Sequence, residues 1–405
     1  MRILVQKFGG TSLSTPEARQ RVIHHIRREL EQGYRLAIVV SAMGRRGEPY
    51  ATDTLLEWTA NNGNALPSRE QDLLLCCGEI ISATTLCSLL QAEGIASTVF
   101  TGAQAGFKTD GHHGNARILD VKPDRVREAL ENNQVAIVTG FQGQSENGDF
   151  TTLGRGGSDT SATALGTALR AEMVDIYTDV NGILTADPRV VEDAKPLSVV
   201  SYAEICNMAH HGAKVIHPRA VEIAMQARVP VRVRSTFSDE EGTLVTHPEC
   251  FNQVQDGIVD RYVTGIAYVS NVTQITVEAQ EGAVDLQLHV FKAMAHNQIS
   301  VDFINVTPSG AVYTVFDTDA PKALEVLHEM GYAPKSLSEC AKVSVIGGGI
   351  NGVPGIMAHI VEALTKQEIQ ILQSADSNTT IWVLVRKEDM VRALRALHAK
   401  FELHR

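Results

Sequence analysis

Arg2-Ile-Leu-Val-Gln-Lys-Phe-Gly-Gly-Thr-Ser12, followed by Thr15-Pro16-Glu17, sets the reading of the fold. An apolar run ends in a lysine and two adjacent glycines, and a helix start with proline at its first position comes directly after. Residues 2–8 therefore read as a strand, and a helix follows that stops at Gly33. This strand, tight turn and helix is the first unit of an alternating pattern. Leu36 to Ala42 reads as the next strand, with a helix near Asp53, another from about Asp72 to Glu93, and strands at 96–100, 134–140 and 174–178. Strands separated by helices, and mostly apolar throughout, predict an α/β fold with a mainly parallel sheet between helical layers.

The pattern stops after Val231-Arg-Val-Arg234, and the polar stretch Ser235 to Arg261 reads as a domain boundary. Beyond it the chain repeats itself with a shift of 70 residues. Val290-Phe-Lys-Ala-Met294 lies over Ile360-Val-Glu-Ala-Leu364, and Val312-Tyr-Thr-Val315 over Trp382-Val-Leu-Val385. Ala323, Leu324, Leu327 and His328 recur as Ala393, Leu394, Leu397 and His398. Each copy reads strand, helix, strand, strand, helix, which predicts two small ferredoxin-like units.

A length of 405 residues accommodates two or three domains. Lys and Arg number 36 against 47 Asp and Glu, a net charge of −11, which excludes a partner bound through bulk phosphate neutralisation, so no nucleic acid is expected. No apolar run approaches the ~20 residues of a membrane span. The first strand meets a charge too early for a secretory signal, so a cytoplasmic protein is expected. The six cysteines form no CxxC pair and read as reduced residues. The pairs His24/His25, His112/His113 and His210/His211 lack metal-ligand spacing and read as solvated surface residues, with no metal held mainly by protein.

Two glycine turns carry the chemistry. Lys7, Gly9 and Gly10 offer a mobile cation and approachable backbone N–H groups, a plausible phosphate cradle that is not a Walker A loop. Gly154-Arg-Gly-Gly-Ser-Asp159 opens a second helix with Ser158 as the expected cap, Arg155 to grip a carboxylate and Asp159 to accept from an ammonium. Together they fit two anionic ligands, or one ligand with separated anionic ends. Glu79 is the only charge between Leu73 and Leu90, so it should be buried and in need of a cation. Thr178-Asp-Val-Asn-Gly182 and Asp187-Pro-Arg189 follow the strand at 174–178, where open α/β sheets bind ligands. Gly347-Gly-Gly349-Ile-Asn-Gly352 matches a dinucleotide fingerprint, but it lies in the second repeat and too little chain follows to complete such a site.

Lys7-Phe-Gly-Gly-Thr-Ser12, Val40-Ser-Ala-Met43, Gly78-Glu79, Gly154 to Asp159, Thr178-Asp-Val180 with Thr185-Ala-Asp-Pro-Arg189, and Gly212-Ala-Lys214 with His217-Pro218 stand in an order that resembles the aspartate kinases over essentially the whole chain. Gly44-Arg-Arg-Gly-Glu-Pro-Tyr-Ala-Thr-Asp53 and Gln373-Ser-Ala-Asp-Ser377 resemble the diaminopimelate-sensitive type. The resemblance implies an amino-acid kinase domain over 1–246, a linker over 247–262, and ACT domains over 263–339 and 340–405. It implies phosphorylation of the β-carboxylate of L-aspartate by ATP, with Mg²⁺ bound through the phosphates, early in the route to diaminopimelate and lysine. Lys7 and Lys214 are then catalytic; Lys7, Gly9, Gly10, Thr178, Asp179, Gly182, Leu184, Arg189 and Lys214 meet ATP. Ser41, Thr52, Glu79, Arg155, Gly156, Gly157, Ser158 and Asp159 hold aspartate, with Glu79 or Asp159 on its ammonium group. An amino-acid effector, meso-diaminopimelate in this type, is expected at Asp285, Ser300, Asp376, Asn378 and Thr379, and a homo-oligomer through the ACT domains. Leu184 stands where many relatives carry Tyr. Gly282-Ala-Val-Asp285 departs from the Pro-Gly that the second copy keeps in Val353-Pro-Gly355, and Asn378-Thr-Thr380 replaces a frequent Glu-Ile-Arg. Both changes in the repeats fall where effectors and ACT contacts are expected, so inhibition by lysine plus threonine is not carried over from the family. A kinase of the same fold acting on glutamate, or a regulator with a degenerate kinase domain, are the competing readings.

Overall fold

In the computed structural model, residues 1–60, 66–213, 215–253, 262–279, 285–350 and 352–405 are described. The chain forms two compact units. One comprises Met1–Ile183, Pro196–Ala209 and Lys214–Ile258; the other comprises Leu184–Lys195, His210–Ala213 and Val259–Arg405.

The first unit begins with β1 (Ile3–Phe8), α1 (Gly10–Leu13), α2 (Pro16–Glu31), β2 (Arg35–Val40), α3 (Thr52–Ala60) and α4 (Ser68–Ala92). It continues with β3 (Ser97–Phe100), β4 (Phe107–Thr109), β5 (Ile118–Val121), α5 (Asp124–Glu131), β6 (Val135–Thr139), β7 (Gln142–Gln144), β8 (Phe150–Thr152), α6 (Gly157–Leu169) and β9 (Met173–Thr178). After the excursion into the other unit come β10 (Val199–Ser201), α7 (Tyr202–His210), α8 (Pro218–Ala227), β11 (Val231–Ser235) and β12 (Thr243–Thr246). The main sheet has the order β10-β12-β11-β9-β1-β2-β6-β3 and is parallel except between β11 and β12. Helices on its faces explain why Leu36 to Val40 is buried at every position, an unalternated run that only a doubly covered strand requires. Leu4, Phe8, Ile23, Ile26, Leu86, Leu90 and Ile137 form one apolar cluster of this unit. The start of α2 follows the sequence signal: Thr15 Oγ1 accepts the N–H of Ala18 at 3.2 Å, and Pro16 occupies the first turn.

Several expectations are corrected. The polar stretch from Ser235 is not bare boundary, since β12 lies within it and pairs with β10 and β11. Ser158 does not cap α6; Gly156, at φ +69°, occupies the cap and Ser158 is inside the first turn. A second sheet, β5-β4-β7-β8, has no counterpart in the sequence reading, because strands of three or four residues carry too little periodicity to read. In each histidine pair the first residue is exposed, but the second is buried or half-buried and bonded within the protein. His25 bonds the carbonyl of Thr236, His113 bonds Asp72, and Trp382 Nε1 donates to His211 Nε2. All six cysteines are free. By length and composition α4 would pass for a membrane span, yet its apolar run is interrupted by Glu79 and it carries the buried Asp72 and Glu79.

Among the described residues, the second unit is a six-stranded sheet with four helices: β13 (Gly265–Glu278), α9 (Leu286–His296), β14 (Asp302–Thr307), β15 (Gly310–Phe316), α10 (Ala320–Glu329), β16 (Lys335–Ile346), α11 (Ile356–Thr365), β17 (Gln373–Asp376), β18 (Thr380–Arg386) and α12 (Met390–Lys400). Its order is β14-β15-β13-β16-β18-β17. Both copies show the strand, helix, strand, strand, helix order. They share their central strands: β13 pairs with β15 from Val272 onward, while its first half, Gly265 to Ser270, pairs with Ile346 to Ala341 of β16. The division expected between residues 339 and 340 thus falls inside β16, since one continuous strand serves both copies. Ala186 and Val191 are buried with Ile360, Leu364, Leu394 and Leu397 of this unit.

Candidate active site

The carboxyl ends of the parallel strands open into a cleft of about 230 Å³ in the first unit, lined by Lys7, Ser41, Thr52, Glu79, Phe141 and the run Gly154 to Asp159. Lys7 is the penultimate residue of β1, Ser41 follows β2, and Phe141 follows β6. Thr52 begins α3, and Glu79 points from the middle of α4. The eight residues expected to hold aspartate all line this one cleft, together with Lys7.

The two glycines after Lys7 do different work. A Cβ on Gly10 would sit 2.6 Å from the carbonyl oxygen of Gly44 and 2.7 Å from that of Ala42, so this position packs against immovable backbone. A Cβ on Gly9 would meet Lys7 Nζ at an ordinary 3.5 Å. Gly10 therefore sets the approach of two chain segments, and Gly9 is the residue with room beside the lysine. Gly156 is more constrained: its φ is +69° and a Cβ would lie 2.2 Å from Cγ of His217. Gly156→Ala is expected to cost about 2 kcal/mol or more of stability. Thermal unfolding checks it; an unchanged midpoint would refute the constraint.

Charge is arranged unevenly. Lys7 Nζ lies 2.8 Å from Asp159 Oδ1, both side chains being 13% exposed, as an ion pair outside hydrogen-bond angles. Glu79 is fully buried; Oε1 accepts the backbone N–H of Ala42 at 3.1 Å, and Oε2 has no partner among the described residues. Burial pushes the Glu79 carboxyl up to about 8, against the weaker opposing effect of backbone hydrogen bonds. Arg155 is exposed and makes no ion pair among the described residues. An exposed guanidinium and a buried, half-satisfied carboxyl in one small cleft suit a ligand carrying both a carboxylate and an ammonium.

Past β9, Thr178 Oγ1 accepts the N–H of Val180 at 2.9 Å, and Asp179 pairs with Arg45 at 2.6 Å. Gly182, at φ +94°, packs against Thr243, whose Oγ1 accepts the N–H of Ile183 at 2.8 Å. Leu184 and Arg189 fall in the second unit, where the Arg189 guanidinium makes two bonds of 3.0 and 2.8 Å to Asp187. Lys214 lies outside the described residues.

The effector positions are not brought together. Asp376 lines a cavity of about 420 Å³ in the second unit, with Gly352, Val353 and Ile356 among the other lining residues. Asn378 and Thr379 follow it on the β17–β18 turn without lining it. Asp285 stands at the N-terminal cap position of α9 without a side-chain cap bond, 3.7 Å from His289, and Ser300 precedes β14.

Three residues were missed. Phe141, with φ +68°, lines the cleft; its place just past a buried strand and beside Gly140 was the available signal. Asp72, seven residues before Glu79 on the same helix, accepts from Thr152 N, Thr152 Oγ1 and Gly114 N and bonds His113, tying the approach to Arg155 to α4. Arg45, paired to Asp179, had no local signal.

Residues 2–235 match the amino acid kinase family and residues 335–399 an ACT domain. The chain is 55% identical over 403 residues, covering all of both chains, to aspartokinase 1 of Bacillus subtilis. It is similar to the crystal structure of E. coli aspartokinase III in complex with aspartate and ADP (R-state), at TM-score 0.79 and 25% identity over 98% of this chain and 99% of that one. The same E. coli enzyme in complex with lysine and aspartate (T-state) gives TM-score 0.75 and 26% identity over 98% and 99%.

Proposed function

The chain belongs to the aspartokinase family, ATP-using phosphotransferases with a carboxyl acceptor, and on that premise we propose that its 230 Å³ cleft seats L-aspartate beside the phosphates of ATP. Arg155 takes a carboxylate. Glu79 takes the α-ammonium, because its Oε2 is buried without a partner among the described residues, whereas Asp159 is already engaged by Lys7. That contrast is the observation carrying the assignment. Ser41, Thr52, Ser158 and the N–H of Gly156 complete the seat, and Gly157, whose N–H is given to the carbonyl of Gly154 at 3.0 Å, lines it.

The β-carboxylate of aspartate, whose pKa in water is ~3.9, is ionised at neutral pH and attacks without a base. No histidine is among the described residues that line the cleft. One carboxylate oxygen bonds to the γ-phosphorus as the bridging bond to the β-phosphate breaks, leaving ADP and 4-phospho-L-aspartate, and no proton moves. Lys7, Gly9 and Gly10 hold the phosphates and neutralise charge as it spreads. Thr178, Asp179 and Gly182 line the nucleotide on the same sheet edge. Leu184, Arg189 and Lys214 as nucleotide contacts, and Lys214 as a catalytic group, rest on the resemblance alone. Mg²⁺ fits as an ion carried by the phosphates: Asp159 and Asp179 are each paired to a cation, so these carboxylates are not bare. It would supply further charge neutralisation.

ADP release measured with aspartate, with glutamate and with neither tests the reading. Release with aspartate alone is expected; none with folded protein and aspartate would sink it.

The finer reading is a diaminopimelate-sensitive enzyme of the cytoplasm on the route to lysine. Its support is the pair of segments at Gly44–Asp53 and Gln373–Ser377, the latter lining the 420 Å³ cavity with Ser374, Ala375, Asp376 and Ser377. The domain division at residues 246, 262 and 339 belongs to this reading, as does pairing of subunits through the outer strands β14 and β17. Titrating meso-diaminopimelate, lysine and threonine against the ADP assay checks it: diaminopimelate is expected to inhibit and lysine alone to do little.

A further inference from the structure

Thr236 lies directly after β11 and is fully buried. Three strands run side by side there in the order β11-β9-β1, all parallel, so the segments leaving their carboxyl ends are neighbours. The N–H of Thr236 donates to the carbonyl of Thr178, at the end of β9, at 2.9 Å. Its hydroxyl reaches past β9 to the turn after β1, where Oγ1 lies 2.7 Å from Ser12 Oγ. Ser12, also fully buried, closes that turn through its own N–H on the carbonyl of Gly9 at 3.0 Å. The carbonyl of Thr236 is held from α2 by His25 Nε2 at 2.9 Å, the proton residing on that nitrogen because a carbonyl only accepts.

We propose that Thr236 is a positioning residue for the nucleotide: through Ser12 and Thr178 it fixes the distance between the Gly9-Gly10 turn and the Thr178-Asp179 loop. Beyond the paired strands themselves, the segments leaving three strand ends are tied by one side chain and one peptide group. Both hydroxyls are dry, so neither has water to replace a lost partner. The proposal rests on the reading of Gly9, Gly10 and Thr178 as nucleotide contacts.

Thr236→Val removes the hydroxyl and keeps shape and N–H; Thr236→Ser keeps the hydroxyl. Thr236→Val is expected to raise the KM for ATP and the Kd for ADP about tenfold, with the KM for aspartate within about twofold, and Thr236→Ser to recover most of the loss. A merely structural residue would lower the melting temperature and the active fraction while leaving the KM for ATP unchanged, and that outcome overturns the proposal. So does an ADP affinity within about twofold of the parent. Should Thr236→Val fail to fold, Ser12→Ala reads the same bond from its other end by the same criteria. Parent protein without aspartate-dependent turnover defeats the assignment as a kinase; active parent with unaltered variants defeats this inference alone.

Discussion

Lys7→Ala lowers kcat by about 10³-fold while weakening ADP binding by about tenfold. The asymmetry follows from where the charge sits. The Lys7 side chain is only 13% exposed and its Nζ lies 2.8 Å from Asp159, so its field is little screened by solvent and acts on the phosphoryl group as charge redistributes. Removing it takes away the cation and also leaves the Asp159 carboxylate uncompensated beside the incoming phosphates. Nucleotide binding keeps the backbone N–H groups of the turn and the Thr178 loop, and so suffers less. Asp159→Asn separates the two contributions, because it removes the repulsion from the Lys7→Ala background and should restore part of kcat. Single-turnover kinetics beside ADP calorimetry measures both. Equal losses in binding and turnover would make Lys7 a general anchor instead of a participant in transfer.

Glu79→Gln raises the KM for aspartate by about 100-fold or more and leaves saturated kcat far less affected. Without ligand the Glu79 carboxyl titrates at about 8, so it is largely protonated at neutral pH and unable to pair with an ammonium. Aspartate binding draws its pKa down and releases a proton. Affinity for aspartate should therefore rise with pH up to about 8 and then level off. Calorimetry in buffers of different ionisation enthalpy reports the proton directly, and the pH slope should vanish in Glu79→Gln. Stability moves the other way. The folded pKa, about 8, lies above the ordinary 4.5, so the folded protein binds the extra proton and its stability falls as pH rises between those values. Glu79→Gln removes that loss, so the ligand-free variant should melt above its parent at pH 8 and close to it near pH 4.5. A variant less stable at both pH values would show a carboxyl that is charged and satisfied in the empty site.

How far the sequence carried depends on whether a residue's partner was near in the chain or near by topology. The glycine turns and the isolated charge on α4 carry their own warrant in local letters, and Lys7, Glu79 and the run Gly154 to Asp159 share one cleft. Local letters offered no way to choose between Glu79 and Asp159, because the choice turns on Lys7 reaching one and not the other. Asp72 and Thr236 were invisible for the same reason. Their partners stand 80 residues away at Thr152 and 224 residues away at Ser12. The small sheet β4-β5-β7-β8 was missed through brevity alone. The repeat was legible as a pattern of five elements, but the sharing of β13 and β16 was not, since periodicity marks where a strand lies and not which strand it joins.

That sharing limits what evolution and engineering can do with the regulatory part. A deletion ending between residues 339 and 340 would cut a hydrogen-bonded strand in half and strip Gly265 to Ser270 of its neighbour. Neither copy can be lost, swapped or borrowed singly, as beads on a string can. The pair is one heritable part, and divergence between its halves must proceed by substitution within them, as the differing sequences Gly282-Ala-Val-Asp285 and Val353-Pro-Gly355 illustrate.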